Sequence, residues 1–184
     1  MPSHHIAAMP LAIRRFTVDD LDALPADGSR HELLNGILLV TPSPNPLHQT
    51  VAMRLAGRLN MLLETEPEIR MWASGVIVAR PAIQLQPDIL IGSRPTGDQW
   101  DDINKHWLAV EISNLGSRVY DRDYKRDAYL ELGVAEVWLV DLDSRQAFVS
   151  RRNGPKDEPH DRMLTWTSPA GRVIEWDIPS LFDA

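Results

Sequence analysis

The chain has 184 residues, 43% of them hydrophobic and 24% charged, with no cysteine and a formal net charge of -7. That length suits one folded domain with a real core, and the composition excludes global disorder. The missing cysteines exclude thiol catalysis, zinc fingers and disulfides and make a reducing cytoplasm the simplest compartment, while the acidic balance excludes tight nucleic-acid binding by global charge.

Residues 1–15 read as a loose lead-in without the order of a signal peptide, and no stretch approaches the roughly 20 apolar residues of a membrane span. Thr17 with Asp20 three positions on predicts a helix N-terminus, and the helix stops near Leu24 before Pro25. Residues 31–40 predict two short strands around Asn35-Gly36, a strong hairpin signal. Three prolines within residues 41–46 mark a loop. Leu47, Val51, Leu55, Leu59 and Leu62 then repeat at helical spacing, which predicts an amphipathic helix to about Glu64.

Residues 71–78, 82–85 and 88–91 predict strands, and residues 94–105 a polar loop. Residues 107–112 form a near-continuous apolar run, the kind buried on both faces of a sheet. A helix over 121–132, stopped by Gly133, leads into the apolar strand 137–140. Strand, helix, strand in that order implies a right-handed crossover and a parallel pair at the sheet centre. Residues 145–184 predict a β-rich antiparallel extension, with strands at 147–151, 163–166 and 173–176, a polar loop over 153–161, and a terminal turn that tucks Phe182 inward. The scattered tryptophans read as core. The whole reads as one α/β domain with a central mixed sheet and flanking helices.

Within this pattern Glu111 stands between Val110 and Ile112, where a charge is costly unless a cation compensates it. Asp88 opens the preceding strand, and Lys125 lies on the following helix. Two carboxylates on neighbouring strands can share a hard cation such as Mg2+, with the Ile112 backbone carbonyl as a further oxygen. Such a cation lowers the pKa of a water and polarises a phosphoryl oxygen, and Lys125 could orient the water or neutralise phosphate charge. Each of these residues has a plainer reading. Asp88 could cap a turn, and Lys125 could pair with Asp121 one helical turn away. Tyr129 shares a helix face with Lys125 and could be core. His48 opens the long helix and could be a surface or capping residue, or could touch phosphate. Arg118, Arg122 and Arg126 recur at every fourth position, either as a solvated face paired with Asp121, Asp123 and Asp127 or as a basic ridge for phosphates. Ser113 and Ser117 have no histidine at a suggestive spacing, which argues against serine hydrolase chemistry.

Pro87-Asp88 followed by Glu111-Ile112-Ser113 resembles the PD-(D/E)XK nuclease motif with its lysine displaced from the strand. Together with HELLNG from His31, DRDYKRDAY from Asp121 and GVAEVWLVD from Gly133, it resembles the Uma family of restriction-endonuclease-like proteins, over roughly residues 31–141. The resemblance implies the restriction-endonuclease-like fold, and Asp88 and Glu111 as the metal pair, with Mg2+ or Mn2+. It also implies Glu32 as a helper carboxylate and Lys125 in place of the motif lysine, whose strand position holds Ser113. His48, Ser113, Arg118, Arg122 and Tyr129 become candidates for substrate contact. Two departures stand out: His31 where an aromatic is common, and Asn114-Leu115-Gly116 in place of a Ser-Pro-Ser type of loop beside the site.

The expected function is metal-dependent DNA endonuclease-like hydrolysis through a metal-activated water, by a homodimer with no membrane and no obligate protein partner. The rival is a non-catalytic nucleic-acid-binding or regulatory protein on the same fold. A third reading, a phosphodiesterase for small nucleotides, predicts a narrow pocket instead of a groove. Convergence of Asp88, Glu111 and Lys125 in one open cleft favours the enzyme; a solvent-facing Lys125 favours the rival.

Overall fold

The computed structural model describes residues 14–25, 28–41, 43–114 and 120–183. Thr17 and Asp20 form the expected capping box, with each side chain bonded to the other's backbone, and open α1 (Val18–Asp22). The first hairpin pairs β1 (Arg30–Leu34) with β2 (Ile37–Thr41). Asn35 and Gly36 both adopt positive φ, 51° and 78°, as a two-residue turn with the twist of its strands requires. Asn45 caps α2 (Pro46–Leu63), whose Pro46 sits in the first turn, where its missing N–H leaves no bond unmade.

The strand predicted over 71–78 is two strands, β3 (Ile69–Ala73) and β4 (Ile77–Ala79), which belong to different sheets. The break is local. Ser74 takes a φ of 55°, and a side chain on Gly75 would meet Leu90 Cβ at 2.9 Å, so the chain turns here against its neighbour. Next come β5 (Ile83–Leu85), β6 (Ile89–Ser93) and β7 (His106–Ser113). The helix predicted over 121–132 begins as a π-helical segment, Tyr120–Lys125, and continues as α3 (Arg126–Glu131), with Gly133 at a φ of 96° just beyond it. The remaining elements are β8 (Glu136–Asp141), β9 (Gln146–Arg151), β10 (Glu158–His160), β11 (Met163–Thr167), β12 (Val173–Asp177) and α4 (Ile178–Phe182). The loop predicted over 153–161 thus contains a short strand, β10, paired antiparallel with β9.

Six strands form the central sheet in the order β10-β9-β8-β7-β6-β3, and β7 and β8 are its parallel pair, as the crossover predicted. The C-terminal extension therefore begins inside this sheet and only ends as the separate β11-β12 hairpin. A second sheet runs β2-β1-β5-β4.

The two faces of β7 bury different partners. Leu108, Val110 and Ile112 meet Val51, Leu55 and Leu59 of α2, together with Trp138, Trp176 and Phe182. Each fully buried aliphatic side chain of this kind contributes about 1.5–3 kcal/mol relative to exposure. Ala109 faces the other way, into a cluster with Tyr129 and Leu130 of α3 and Leu34, Ile77 and Leu85 of the smaller sheet. Side chains alternate along a strand, so Glu111 and Ser113 share the face of Ala109. That periodicity delivers Glu111 to the seam between the sheet, α3 and the first hairpin.

Candidate active site

Four carboxylates gather at this seam. Glu32, Asp88, Glu111 and Asp121 are all buried, and Lys125 is buried among them. The Lys125 Nζ donates to Glu32 Oε2 at 2.7 Å and to Glu111 Oε1 at 3.4 Å, and lies 3.3 Å from Asp121 Oδ1. Lys125 therefore faces the cluster, not solvent. Tyr129, one turn further along the helix, donates its hydroxyl to Glu111 Oε1 at 2.6 Å. Both bonds to Glu111 end on Oε1; among the described residues Oε2 makes none.

Asp88 sits just before β6 and is held from three sides. Its Oδ2 accepts from the Ile112 backbone N–H at 2.8 Å and lies 3.0 Å from His48 Nε2, while Oδ1 accepts from Arg30 at 3.0 Å. The N–H and C=O of one strand residue point to the same edge, so the Ile112 carbonyl also faces the edge where Asp88 sits. His48 reaches this point because its own N–H is capped by Asn45 at 2.8 Å, which aims the first turn of α2 at Asp88. Glu32 comes from a different sheet. Its Oε1 accepts from Gln86 N at 2.7 Å, which ties the hairpin to the strand entry beside Asp88.

The electrostatics follow from this packing. Burial, with the neighbouring Asp121, Asp88 and Glu32 carboxylates, pushes Glu111 well above the usual carboxylate range despite Lys125. Burial would raise Asp88 too, but the His48 hydrogen bond and charge, with Arg30 and the Ile112 N–H, hold it below its ordinary value. Burial would lower Lys125, and Glu111, Glu32 and Asp121 more than reverse that, so its ammonium stays charged. The Tyr129 hydroxyl is pushed well up by burial and by Glu111.

The other predicted residues divide. Ser113 is buried on the Glu111 face, and its Oγ has no hydrogen-bond partner. Arg122 leaves the cluster: it stacks over Phe148 at 4.9 Å and pairs with Asp157 at 3.4 Å. Arg126 likewise pairs with Asp127 and Asp157, so these two arginines form a paired face and not an open basic ridge. Arg118 and Ser117 lie outside the described residues. Two members of the site were not singled out from the sequence. Arg30 shares a strand face with Glu32 at a spacing of two, the one signal that could have found it. In sequence Asp121 offers only helix pairing with Lys125; that pairing is present, and the burial of Asp121 in the cluster has no sequence signal.

A cavity of about 530 Å3 borders this cluster; Arg30, His48, Asp88, Asp121 and Lys125 are in its lining, and Glu32 and Glu111 are not. Among the described residues no three His, Asp or Glu side chains already converge as a cation cluster. The donor chemistry nevertheless fits a hard divalent cation. Among the described residues four buried carboxylates pair with two permanently charged side chains, Arg30 and Lys125, and the Ser113 hydroxyl is buried without a described partner. A divalent cation would offset the charge of those carboxylates that are ionised.

A mixed sheet with one parallel pair, flanking helices and a carboxylate–lysine centre at the edge of that pair define the restriction-endonuclease-like class. A solved structure from Anabaena variabilis, described as a putative nuclease belonging to DUF820, is similar to this chain with a TM-score of 0.75. The two are 18% identical, over 91% of this chain and 97% of that one, which is a likeness of fold. Residues 18–175 match the family described as "Uma2: Putative restriction endonuclease", and the chain belongs to that family. Nothing among curated proteins matches. No described helix is long and apolar enough to cross a membrane.

Proposed function

We propose that this protein is a metal-dependent nuclease that hydrolyses phosphodiester bonds in DNA. The observation that carries the reading is the group of four buried carboxylates gathered around Lys125 and Arg30, two of which, Asp88 and Asp121, line a cavity. Asp88 and Glu111, with the Ile112 carbonyl, would hold Mg2+ or Mn2+, and Glu32 and Asp121 would balance charge around them. When bound, the cation supplies a Lewis acid that lowers the pKa of a water and polarises the phosphoryl oxygen.

The chain's own groups do the rest. Lys125, held charged by three carboxylates, can pair with the negative charge that develops on phosphate oxygens. Tyr129 fixes the Glu111 rotamer through its hydroxyl, and Glu32 fixes Lys125. His48 and Arg30 hold Asp88 by opposite oxygens, so a cation that takes Asp88 must share it with them. Nucleases of this fold often act as dimers so that both strands are reached, and a homodimer is part of the proposal.

The test is cleavage of supercoiled plasmid with Mg2+ or Mn2+, comparing wild type with Glu111→Gln and Asp88→Asn. Both variants should lose activity by about 100-fold or more, the scale of losing a transition-state electrostatic contact. Cleavage that survives both substitutions refutes the site. One observation favours a non-catalytic nucleic-acid-binding protein as the second reading: both Asp88 oxygens are already bonded to side chains. Calorimetry with Mg2+ separates the two, since a cluster that binds no cation cannot catalyse in this way.

A further inference from the structure

We propose that the cavity beside the carboxylates takes an unstacked nucleobase, so that the preferred substrate is an unpaired stretch of polynucleotide and not intact duplex. This rests on the nuclease reading of the same site and specifies its substrate.

Besides Arg30, His48, Asp88, Asp121 and Lys125, the cavity lining includes Leu39 and Val40 from β2 and Ala52, Met53 and Ala56 from α2. Its volume, about 530 Å3, lies within the range of about 300–1,000 Å3 typical of small-molecule sites, enough for one base and its sugar. A base presents two apolar faces, which suits the aliphatic side chains that β2 and α2 contribute to this lining, whatever the base is.

The charges point the same way. Binding duplex relies on free lysines and arginines that neutralise several phosphates. Among the described residues both cationic side chains in the cavity wall already face a carboxylate, Arg30 with Asp88 and Lys125 with Glu32, Glu111 and Asp121, and the His48 ring also lies against Asp88. The chain as a whole carries a formal charge of -7. With little phosphate attraction available, apolar contact with a base is the term left to provide affinity. The same count disfavours a free nucleotide, whose terminal phosphate carries close to two charges where an internal phosphodiester carries one. An extruded or unpaired base would bring its own internal phosphate near the Asp88 and Asp121 carboxylates that line the same cavity.

The experiment is fluorescence anisotropy on the full chain with Ca2+ in place of Mg2+. The probes are a short labelled single strand of DNA, its RNA equivalent, the blunt duplex, the duplex with a central bulge, and a mononucleotide as competitor. The single strand and the bulged duplex should bind about tenfold or more tightly than the blunt duplex, and the mononucleotide should not compete. Val40→Asn and Met53→Gln should each weaken single-strand binding roughly fivefold or more. Val40 and Met53 are 58% and 67% exposed, so neither change should disturb folding, and an unchanged melting temperature checks it. Ile37→Asn, on the same strand but outside the cavity wall, should leave binding unchanged.

Equal affinity for blunt duplex, displacement by the mononucleotide, or indifference to both cavity substitutions overturns the proposal. Cleavage assays on the same probes with Mn2+ keep the two readings apart. Cleavage with a duplex preference removes the base pocket and leaves the nuclease. Single-strand binding without any cleavage removes the nuclease and leaves the pocket. A lack of binding to every probe removes both.

Discussion

Replacing Lys125 with methionine removes one charge and little volume from the centre of the site. The wild-type side chain is 3% exposed and contacts Glu32, Glu111 and Asp121 within 3.4 Å. Removing one partner of a buried ion pair leaves the others uncompensated and costs about 3–5 kcal/mol. For a chain of this size each kcal/mol moves the melting temperature by about 2–4 °C, so Lys125→Met should melt about 6–20 °C lower. The loss should depend on pH. Glu111, already raised by burial, rises further without the ammonium. A carboxyl group raised on folding keeps its contribution below its unfolded pKa and loses it as pH climbs through the folded value. The penalty should therefore be smallest near the unfolded carboxyl pKa of about 4.3 and grow as pH rises above it. Circular-dichroism melts of both proteins across that range give the answer. A variant within about 2 °C of wild type at the higher pH, or one hurt more at the lower pH, refutes the charge balance proposed for this cluster.

Mg2+ or Mn2+ should raise the wild-type melting temperature, since a ligand at about 100 times its Kd adds roughly 2.7 kcal/mol, and Asp88→Asn should abolish the shift; equal shifts in both would show that the cation binds elsewhere. Asp88 is held below its ordinary pKa on folding, so its contribution is present above the unfolded value of about 3.9 and is lost as pH falls towards the folded one. Asp88→Asn should flatten that acid limb in urea unfolding; an unchanged limb argues against the His48 and Arg30 contacts as its cause. Tyr129→Phe removes the 2.6 Å bond to Glu111 and should cost about 1.5–3 kcal/mol in denaturant unfolding, with more loss at higher pH, where Glu111 carries charge.

Much of the fold was legible because it rests on short-range rules. Asn35-Gly36 demanded a hairpin, Thr17 and Asp20 a cap, and the spacing of Val51, Leu55 and Leu59 a helix face. Residues 71–78 misled because continuous apolarity was read without the turn at Ser74-Gly75. The close approach of Leu90 that makes Gly75 necessary is a tertiary fact with no local signature. The β10 strand was hidden for a similar reason. Its three residues, Glu158–His160, carry little strand preference and are ordered by pairing with β9. In the site, Glu111 was visible because a charge inside an apolar strand is anomalous by itself. Arg30 and Asp121 were not, because each looks ordinary in its own element and becomes exceptional only when another element buries it.

The displaced lysine gains its meaning from the helix that carries it. Two positions after Glu111 on β7 stands Ser113, whose hydroxyl is buried with no hydrogen-bond partner among the described residues. The charge instead arrives from Lys125, flanked at spacings of four by Asp121 and Tyr129, and all three side chains are buried at the same seam. A π-helical segment is wider than an α-helix, and such segments concentrate at functional sites. Here it ends at Lys125, just where the chain must turn that residue towards Glu32 and Glu111 before α3 resumes ordinary packing through Ala128 and Leu130. The sheets thus supply Glu111, Glu32 and, at the entry to β6, Asp88, and the helical segment supplies the cation, its counter-ion and the tyrosine that orients Glu111. A change that shifts the 120–125 segment should therefore disturb the Lys125, Asp121 and Tyr129 contacts together.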